Sequence, residues 1–162
     1  MTSPPYWSLR DYGISGQLGL EPTVDVFIEK LVDVFDEVRR VLKETGTCWV
    51  NIGDTYASNG GGSVGKTAKI THTKLGRQAR GVTKEVPLKS LCLIPFRFAT
   101  EMVSRGWILR NTIIWHKPNC MPSSIKDRFS VDFEYLFFFS KNPSYYFEQQ
   151  FEPHKKRYLK RY

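Results

Sequence analysis

Apolar residues recur three and four positions apart over residues 24–42, the spacing that places them on one face of an α-helix. The series comprises Val24, Phe27, Ile28, Leu31, Val34, Phe35, Val38, Val41 and Leu42. Charged side chains fill the intervening positions, so this helix is predicted to bury one face and expose the other. Thr23 is suited to cap its start and Gly46 to close its end.

Three short segments rich in β-branched and aromatic residues predict strands. They span residues 47–52 (TCWVNI), 107–116 (WILRNTIIWH) and 131–140 (VDFEYLFFFS). The uninterrupted run 137–139 (FFF) favours a strand covered on both faces. A second helix is predicted over residues 88–105, with Pro95 kinking it or dividing it in two. The order helix, strand, helix, strand, strand indicates an α/β domain in which helices cover a sheet.

Residues 54–86 have almost no apolar periodicity and are predicted to form an irregular basic insertion. Its positive side chains are Lys66, Lys69, Lys74, Arg77, Arg80 and Lys84. Together with the formal net charge of +8, they favour contact with a polyanion such as nucleic acid, the alternative being a solvated basic surface. A length of 162 residues predicts one domain, residues 1–162, that contains this insertion.

Residues 60–67 (GGGSVGKT) match the phosphate-binding pattern GxxxxGK[ST] letter for letter. That pattern works when a strand leads directly into it and an amphipathic helix follows it. Neither neighbour is present in the sequence around this segment. A glycine hinge that introduces the basic insertion is therefore favoured over a nucleotide triphosphatase.

The cysteines, histidines and tryptophans suggest packing rather than chemistry. Cys48 and Cys92 lie in apolar segments and are predicted to pack as small hydrophobes, while Cys120 is predicted to be a loop residue and not a nucleophile. The scattered cysteines and isolated histidines argue against a disulfide scaffold and a metal site. The tryptophans assigned to the core are Trp49, Trp107 and Trp115. The apolar stretches are too short to span a membrane, and the first residues lack a signal layout, which predicts a cytoplasmic protein without a membrane partner.

Residues 2–7 (TSPPYW) combine groups suited to one reaction, methylation of the amino group of a nucleic-acid base. That nitrogen is a poor nucleophile because its lone pair is delocalised into the ring, so acceptors must hold its hydrogens. The Ser3 oxygen and the Pro4 carbonyl can supply two acceptors, and the fixed φ of Pro4 and Pro5 holds them ready. Tyr6 offers a ring on which a base swung out of a duplex can stack.

This motif resembles the catalytic motif of the cytosine-N4 and adenine-N6 DNA methyltransferases. Further segments agree with the family in order, namely residues 9–13 (LRDYG), 17–21 (QLGLE), 38–43 (VRRVLK), 49–54 (WVNIGD), 110–119 (RNTIIWHKPN) and 133–141 (FEYLFFFSK). The resemblance implies part of the Rossmann-like S-adenosylmethionine-dependent methyltransferase sheet with flanking helices. It also implies S-adenosylmethionine as cofactor, double-stranded DNA as substrate and a place in restriction-modification. Serine at Ser3 resembles the cytosine-N4 form, whereas aspartate there is usual for adenine-N6, which stays the alternative.

Two parts of the family pattern are absent from the sequence. The family binds S-adenosylmethionine at a turn of the Phe-x-Gly-x-Gly type, and no such segment occurs here. An apolar strand normally leads into the catalytic motif, whereas Met1 begins almost on it. The resemblance therefore implies a partial domain: a fragment, one half of a split enzyme or a truncated protein. The cofactor motif would then lie on a missing C-terminal half or on a complementary chain.

The resemblance also assigns roles to individual residues. The catalytic candidates are Ser3, Pro4, Pro5 and Tyr6. Trp7 is a candidate for lining the base or cofactor pocket, with plain packing as an equal alternative. The candidates for DNA contact are Lys66, Lys69, Lys74, Arg77, Arg80 and Lys117. Two other hypotheses stay open: a fragment that binds DNA without catalysing because the cofactor turn is missing, and an RNA or protein methyltransferase that shares the proline turn.

Overall fold

The computed structural model describes residues 1–58 and 86–151. In chain order its elements are α1 (Val24–Val41), β1 (Thr47–Ile52), α2 (Ile94–Ser104), β2 (Ile108–His116) and β3 (Phe133–Ser140). The predicted order of elements and the α/β class are confirmed, and the first predicted strand has the bounds expected from sequence.

The first helix starts where its sequence predicts and ends earlier. The Thr23 hydroxyl accepts a hydrogen bond from the Val26 backbone N–H at 3.3 Å, which caps the start as predicted. The helix ends at Val41, because Leu42 already adopts an extended backbone with ψ of 139°. Gly46 therefore does not close the helix, and that prediction is wrong. Gly46 lies in the following turn, where an added Cβ would collide with the Leu42 side chain.

The second helix is shorter than its sequence predicts. It begins at Ile94 instead of residue 88, and Pro95 lies in its first turn, where proline fits without breaking a backbone hydrogen bond. The prediction that Pro95 kinks or divides the helix is therefore wrong. The Asp54 carboxylate accepts hydrogen bonds from the backbone N–H groups of Leu93 and Ile94, both at 3.1 Å, and so satisfies the helix start from a distant part of the chain.

The three strands form one antiparallel sheet in the order β1-β3-β2, with β3 in the centre. The chain start adds one parallel contact at the outer side of β1. There the Thr2 backbone N–H donates to the Trp49 carbonyl, and the Asn51 N–H donates to the Thr2 carbonyl, both at 2.9 Å. Residue 2 is thus held at a defined register on β1, and the turn that follows it starts from a fixed point.

The core lies on both faces of β3. On one face Phe98 of α2 packs against Phe35 of α1, with ring centroids 5.2 Å apart, and against the inward rings of β3. On the other face Phe138 stacks on Trp49 at 4.2 Å and is covered by the segment that follows β3. The run 137–139 is accordingly buried from both sides, as its sequence predicts. Burying one such ring contributes roughly 1.5–3 kcal/mol.

The tryptophan prediction holds only in part. Trp107 is buried in the core, and Trp49 is partly covered by its stack on Phe138. Trp115 is 51% exposed, so its assignment to the core is wrong. It lies near the end of β2, an edge strand whose residues from Arg110 onward are all exposed.

The cysteines behave as packing residues where they are buried. Cys48 and Cys92 are buried, as predicted, and all three cysteines are free thiols. Burial raises the pKa of the Cys48 thiol to about 11, since the thiolate would lose its hydration. Within residues 1–58 and 86–151 there is no helix long and apolar enough to cross a membrane. The same ranges hold no cluster of three or more side chains suited to a metal ion.

Candidate active site

The proline turn, residues 3–6 (SPPY), directly follows Thr2, the residue that pairs with β1. Thr2 is paired with the strand, Ser3 is exposed at the surface, and Pro4 is buried beneath it. Trp7 is 4% exposed and donates from its indole N–H to the Glu21 carbonyl at 3.0 Å. Trp7 therefore anchors the back of the turn in the core, which favours packing over lining a pocket.

A buried carboxylate closes the loop behind the turn. The Gly19 N–H donates to the Glu21 side chain at 2.9 Å, and the Ser8 N–H donates to the Gly19 carbonyl at 2.7 Å. Gly19 has φ +103°, and a Cβ there would lie 3.2 Å from the Tyr6 carbonyl oxygen. Glycine is thus required for both the backbone conformation and the close approach. The segment 17–21 supports Tyr6 from behind.

Asn51, on β1, joins two of the motif side chains. Its Oδ1 accepts a hydrogen bond from the Tyr6 hydroxyl at 3.2 Å and lies 3.5 Å from the Ser3 hydroxyl, which donates to it. Its Nδ2 donates to the Tyr135 carbonyl on β3 at 3.3 Å, so the amide is held by both strands. A polar residue within a mostly apolar strand is the sequence signal that could have identified Asn51 as a site residue.

The Tyr6 hydroxyl is held in its neutral form. Its burial, and then the negative charge of Glu134, raise the pKa of Tyr6 above its ordinary value of 10.0. Glu134 in turn accepts a hydrogen bond from the Lys117 ammonium group. Lys117 is the one predicted DNA contact that lies within the described residues, and it is joined to Tyr6 through Glu134. Its charge is therefore partly compensated before any phosphate approaches.

Tyr6 separates two concavities. A depression of about 280 Å³ is lined by Ser3, Pro4, Pro5, Tyr6, Leu9, Arg10 and Tyr12. A cavity of about 350 Å³ on the other side is lined by Tyr6, by the β3 residues Phe133, Glu134 and Tyr135, and by the loop that joins β2 to β3. The four predicted catalytic residues thus line a single depression. The two predicted hydrogen-bond acceptors, on Ser3 and Pro4, and the Tyr6 ring therefore border the same depression.

Gly53 lies directly against the Tyr6 ring. A Cβ at position 53 would come 2.9 Å from Cε2 and 3.4 Å from Cζ of Tyr6, closer than carbon atoms approach without displacement. In the sequence, Gly53 directly follows the predicted strand 47–52 and carries no further signal. Its contact with Tyr6 could not be seen, because 47 positions separate the two residues in the printed sequence.

Gly53→Ala is expected to push the Tyr6 ring out of place and to lower the free energy of unfolding by about 1–3 kcal/mol, as overpacking does. Urea denaturation measures this cost. The control is the double variant Gly53→Ala/Tyr6→Ala, in which the ring is gone and the added methyl group has space. If alanine at position 53 is equally destabilising with and without the ring, the proposed contact is contradicted.

Five of the predicted DNA contacts lie outside the described residues. They are Lys66, Lys69, Lys74, Arg77 and Arg80. The phosphate-loop-like segment 60–67 and most of the predicted insertion 54–86 also lie outside them. The roles assigned to them therefore stay predictions from the sequence.

A family model described as DNA methylase, of the N6/N4 type, matches residues 1–161. The chain is 44% identical over 154 residues to the type II methyltransferase M.XycI of Xanthomonas campestris pv. cyanopsidis, covering 93% of this chain and 50% of that protein. It is 44% identical over 152 residues to the type II methyltransferase M.SmaI of Serratia marcescens, covering 91% and 50%. The chain thus spans about half the length of the curated relatives it matches.

Two solved structures share the fold. The PvuII DNA methyltransferase, which is cytosine-N4-specific, superposes with a TM-score of 0.57 at 22% identity, over 90% of this chain and 42% of that one. A DNA modification methylase from Thermus thermophilus, complexed with S-adenosyl-L-methionine, superposes with a TM-score of 0.52 at 22% identity, over 91% and 46%. These likenesses show an α/β methyltransferase fold for the present chain.

Proposed function

This chain belongs to the N6/N4 DNA methylase family, and from that membership we propose that it supplies the catalytic half of an S-adenosylmethionine-dependent DNA methyltransferase. The protein that contains it would methylate the exocyclic amino group of a flipped base in double-stranded DNA, as part of a restriction-modification system. The observation that carries the proposal is the network in which Asn51 holds Ser3 and Tyr6 at the rim of one depression.

The direction of the Ser3 hydrogen bond suits an acceptor role. Because the Ser3 hydroxyl donates its hydrogen to Asn51, its oxygen lone pairs remain for the hydrogens of an incoming amino group. The Pro4 carbonyl is the second proposed acceptor, and proline at Pro4 and Pro5 fixes the backbone around it. Two acceptors on one amino group favour a pyramidal nitrogen, whose lone pair is then available for direct displacement.

Tyr6 is proposed to carry the flipped base on its ring. Its hydroxyl is tied back to Asn51, so the ring plane is set before the base arrives. A ring ordered in advance does not lose conformational entropy when the base stacks on it. Base–aromatic stacking of this kind contributes about 1–3 kcal/mol per base.

The cofactor is proposed to bind mainly outside this chain. When bound, S-adenosylmethionine would supply a methyl group carried on a sulfonium cation. The described residues fit the acceptor side of this reaction, since Ser3 is exposed at the depression, but they contain no glycine turn for the nucleoside. The remaining half, on the same polypeptide or on a complementary chain, is proposed to provide that turn.

The sheet offers a place for the remaining half. Thr2 pairs in parallel with Val50, so the sheet can continue beyond residue 2 with parallel strands. Beside this edge lies an apolar groove between α1 and the chain start, lined by Met1, Pro5, Leu18, Val34, Val38 and Leu42 among others. Val34 is half-exposed there although it belongs to the apolar series of α1. A further helix or strand seated in the groove would bury these side chains and bring the cofactor next to the proline turn.

Cytosine-N4 is the proposed position of methylation, because serine at Ser3 resembles the cytosine-N4 form of the motif, whereas aspartate is the usual residue of the adenine-N6 form. The proposed phosphate contacts are the basic residues 66–80 and Lys117. The full-length protein is incubated with tritium-labelled S-adenosylmethionine and, in parallel reactions, with duplex DNA, RNA or protein, and the labelled DNA is digested to nucleosides. Label in N4-methylcytosine is the expected result. Label in N6-methyladenine would contradict the base assignment, and label only in RNA or protein would overturn the proposal.

A further inference from the structure

The loop that joins β2 to β3, residues 117–132, presents two large apolar side chains almost wholly to water. Phe129 is 96% exposed and Met121 is 89% exposed, the highest values for large hydrophobic residues in the described ranges 1–58 and 86–151. Both also line the 350 Å³ cavity that has Tyr6 in its wall. Exposed apolar side chains that share one cavity wall are a feature of binding surfaces, whereas a single exposed one is ordinary.

The loop is fixed at several points, and Phe129 projects from it. The Lys117 N–H donates to the Asp132 carbonyl at 2.6 Å and closes the base of the loop. The Arg128 guanidinium lies 3.4 Å from the centroid of the Tyr56 ring, and the Lys89 ammonium group contacts Asp127 at 2.7 Å. Since the two residues before it are held in this way, Phe129 is presented at the cavity rim by an ordered backbone.

The charges around Phe129 fit a polyanion. Lys126 and Arg128 precede Phe129 by three positions and by one, and Lys126 makes no ion pair within the described part of the chain. Of the loop acids, Asp127 is paired with the Lys89 ammonium group at 2.7 Å, and Asp132 lies 3.6 Å from the His116 imidazole. A phosphate backbone that passes the loop therefore meets the positive charge of Lys126, which favours an anionic partner over a neutral or basic one, and DNA is the polyanion that the proposed function supplies.

We propose that Phe129, with Met121 beside the same cavity, inserts into the DNA duplex at the target base pair and fills the space left by the flipped base. Apolar side chains inserted between base steps offset part of the lost stacking energy. This inference rests on the proposed function, because it needs a base that leaves the duplex to stack on Tyr6. The role assigned to Phe129 is to position the DNA, and it does not contact the reacting atoms.

The test compares two duplexes that differ only opposite the target base, one with the normal partner and one with an abasic site. Methyl transfer by the full-length protein is measured as kcat/KM on each duplex. Phe129→Ala is expected to lower kcat/KM about tenfold on the paired duplex, and to come within about threefold of the wild type on the abasic duplex, where the base leaves the stack at little cost. Phe129→Leu, which keeps an apolar wedge, is expected to retain most activity on both.

Two control variants separate this role from others. Phe151→Ala removes a ring that is also highly exposed but lies outside the loop, and should not change either rate. Tyr6→Ala should lose activity on both duplexes. Equal activity of Phe129→Ala and the wild type on the paired duplex, or an equal loss on both duplexes, would overturn the inference. Absence of methyl transfer by the wild type on both duplexes would overturn the proposed function, and this inference with it.

Discussion

Ser3→Ala is expected to lower kcat for methyl transfer by about 10²-fold, the size of effect seen when one preorganised polar group is removed from a reacting centre. The variant keeps the Pro4 carbonyl as a single acceptor, so the amino group makes one hydrogen bond to the turn instead of two. KM for DNA should change little, since Ser3 acts on the amino group as it reacts. Single-turnover transfer of labelled methyl groups measures the chemical step directly.

Stability measurements distinguish this loss from damage to the fold. Ser3 is exposed and its bond to Asn51 is long, at 3.5 Å, so urea unfolding of Ser3→Ala should match the wild type. Ser15→Ala, in an exposed part of the neighbouring loop, is the matched control and should keep full activity. A Ser3→Ala variant with the wild-type rate would show that the second acceptor is unnecessary. The assignment of Ser3 would then fail.

Tyr6→Ala is expected to lower kcat/KM by about 5- to 150-fold, which corresponds to the loss of about 1–3 kcal/mol of base–aromatic stacking. Tyr6→Phe keeps the ring and removes only the hydroxyl that donates a hydrogen bond to Asn51, so its kcat/KM should fall much less. The difference between these two variants isolates the contribution of the ring. Competition for labelled transfer on a target duplex measures both values in one experiment.

The control for Tyr6 is Tyr146→Ala, which removes an exposed ring after β3 whose hydroxyl donates to Glu148. It should leave kcat/KM unchanged. Should Tyr6→Phe lose as much activity as Tyr6→Ala, the hydroxyl network rather than the ring would carry the effect. Stacking on Tyr6 would then be the wrong explanation.

The elements were predictable where one segment alone determines its structure. The helical spacing of the apolar residues in α1 and the uninterrupted apolar run 137–139 each indicate one type of element. Both lie in an element of the predicted type. The errors lie where tertiary contacts decide. The end of α1 coincides with the extended backbone of Leu42, the late start of α2 with the hydrogen bonds from Asp54, and the exposure of Trp115 with the edge position of β2.

The candidate site divides in the same way. The chemistry of Ser3, Pro4 and Tyr6 could be argued from six adjacent letters, because it depends on residue types alone. Their supports could not. Asn51 lies 45 positions from Tyr6 and 84 from the Tyr135 carbonyl that it contacts, and only the folded sheet brings the three together. In the sequence, Glu134 is a polar residue within a predicted strand. Its position near Tyr6 results from the pairing of β1 with β3 and could not be predicted from the sequence.

The pairing of Thr2 with β1 has a consequence for how the protein tolerates changes in chain length. Side chains alternate between the faces of a sheet, so a shift of one residue along β1 would turn Ser3 away from Asn51. Asn51 lies on the same strand as the residues that set this register, so Ser3 and its partner share one reference point in the sheet. The placement of Ser3 beside Asn51 is therefore sensitive to any residue inserted or deleted at the start of the proline turn.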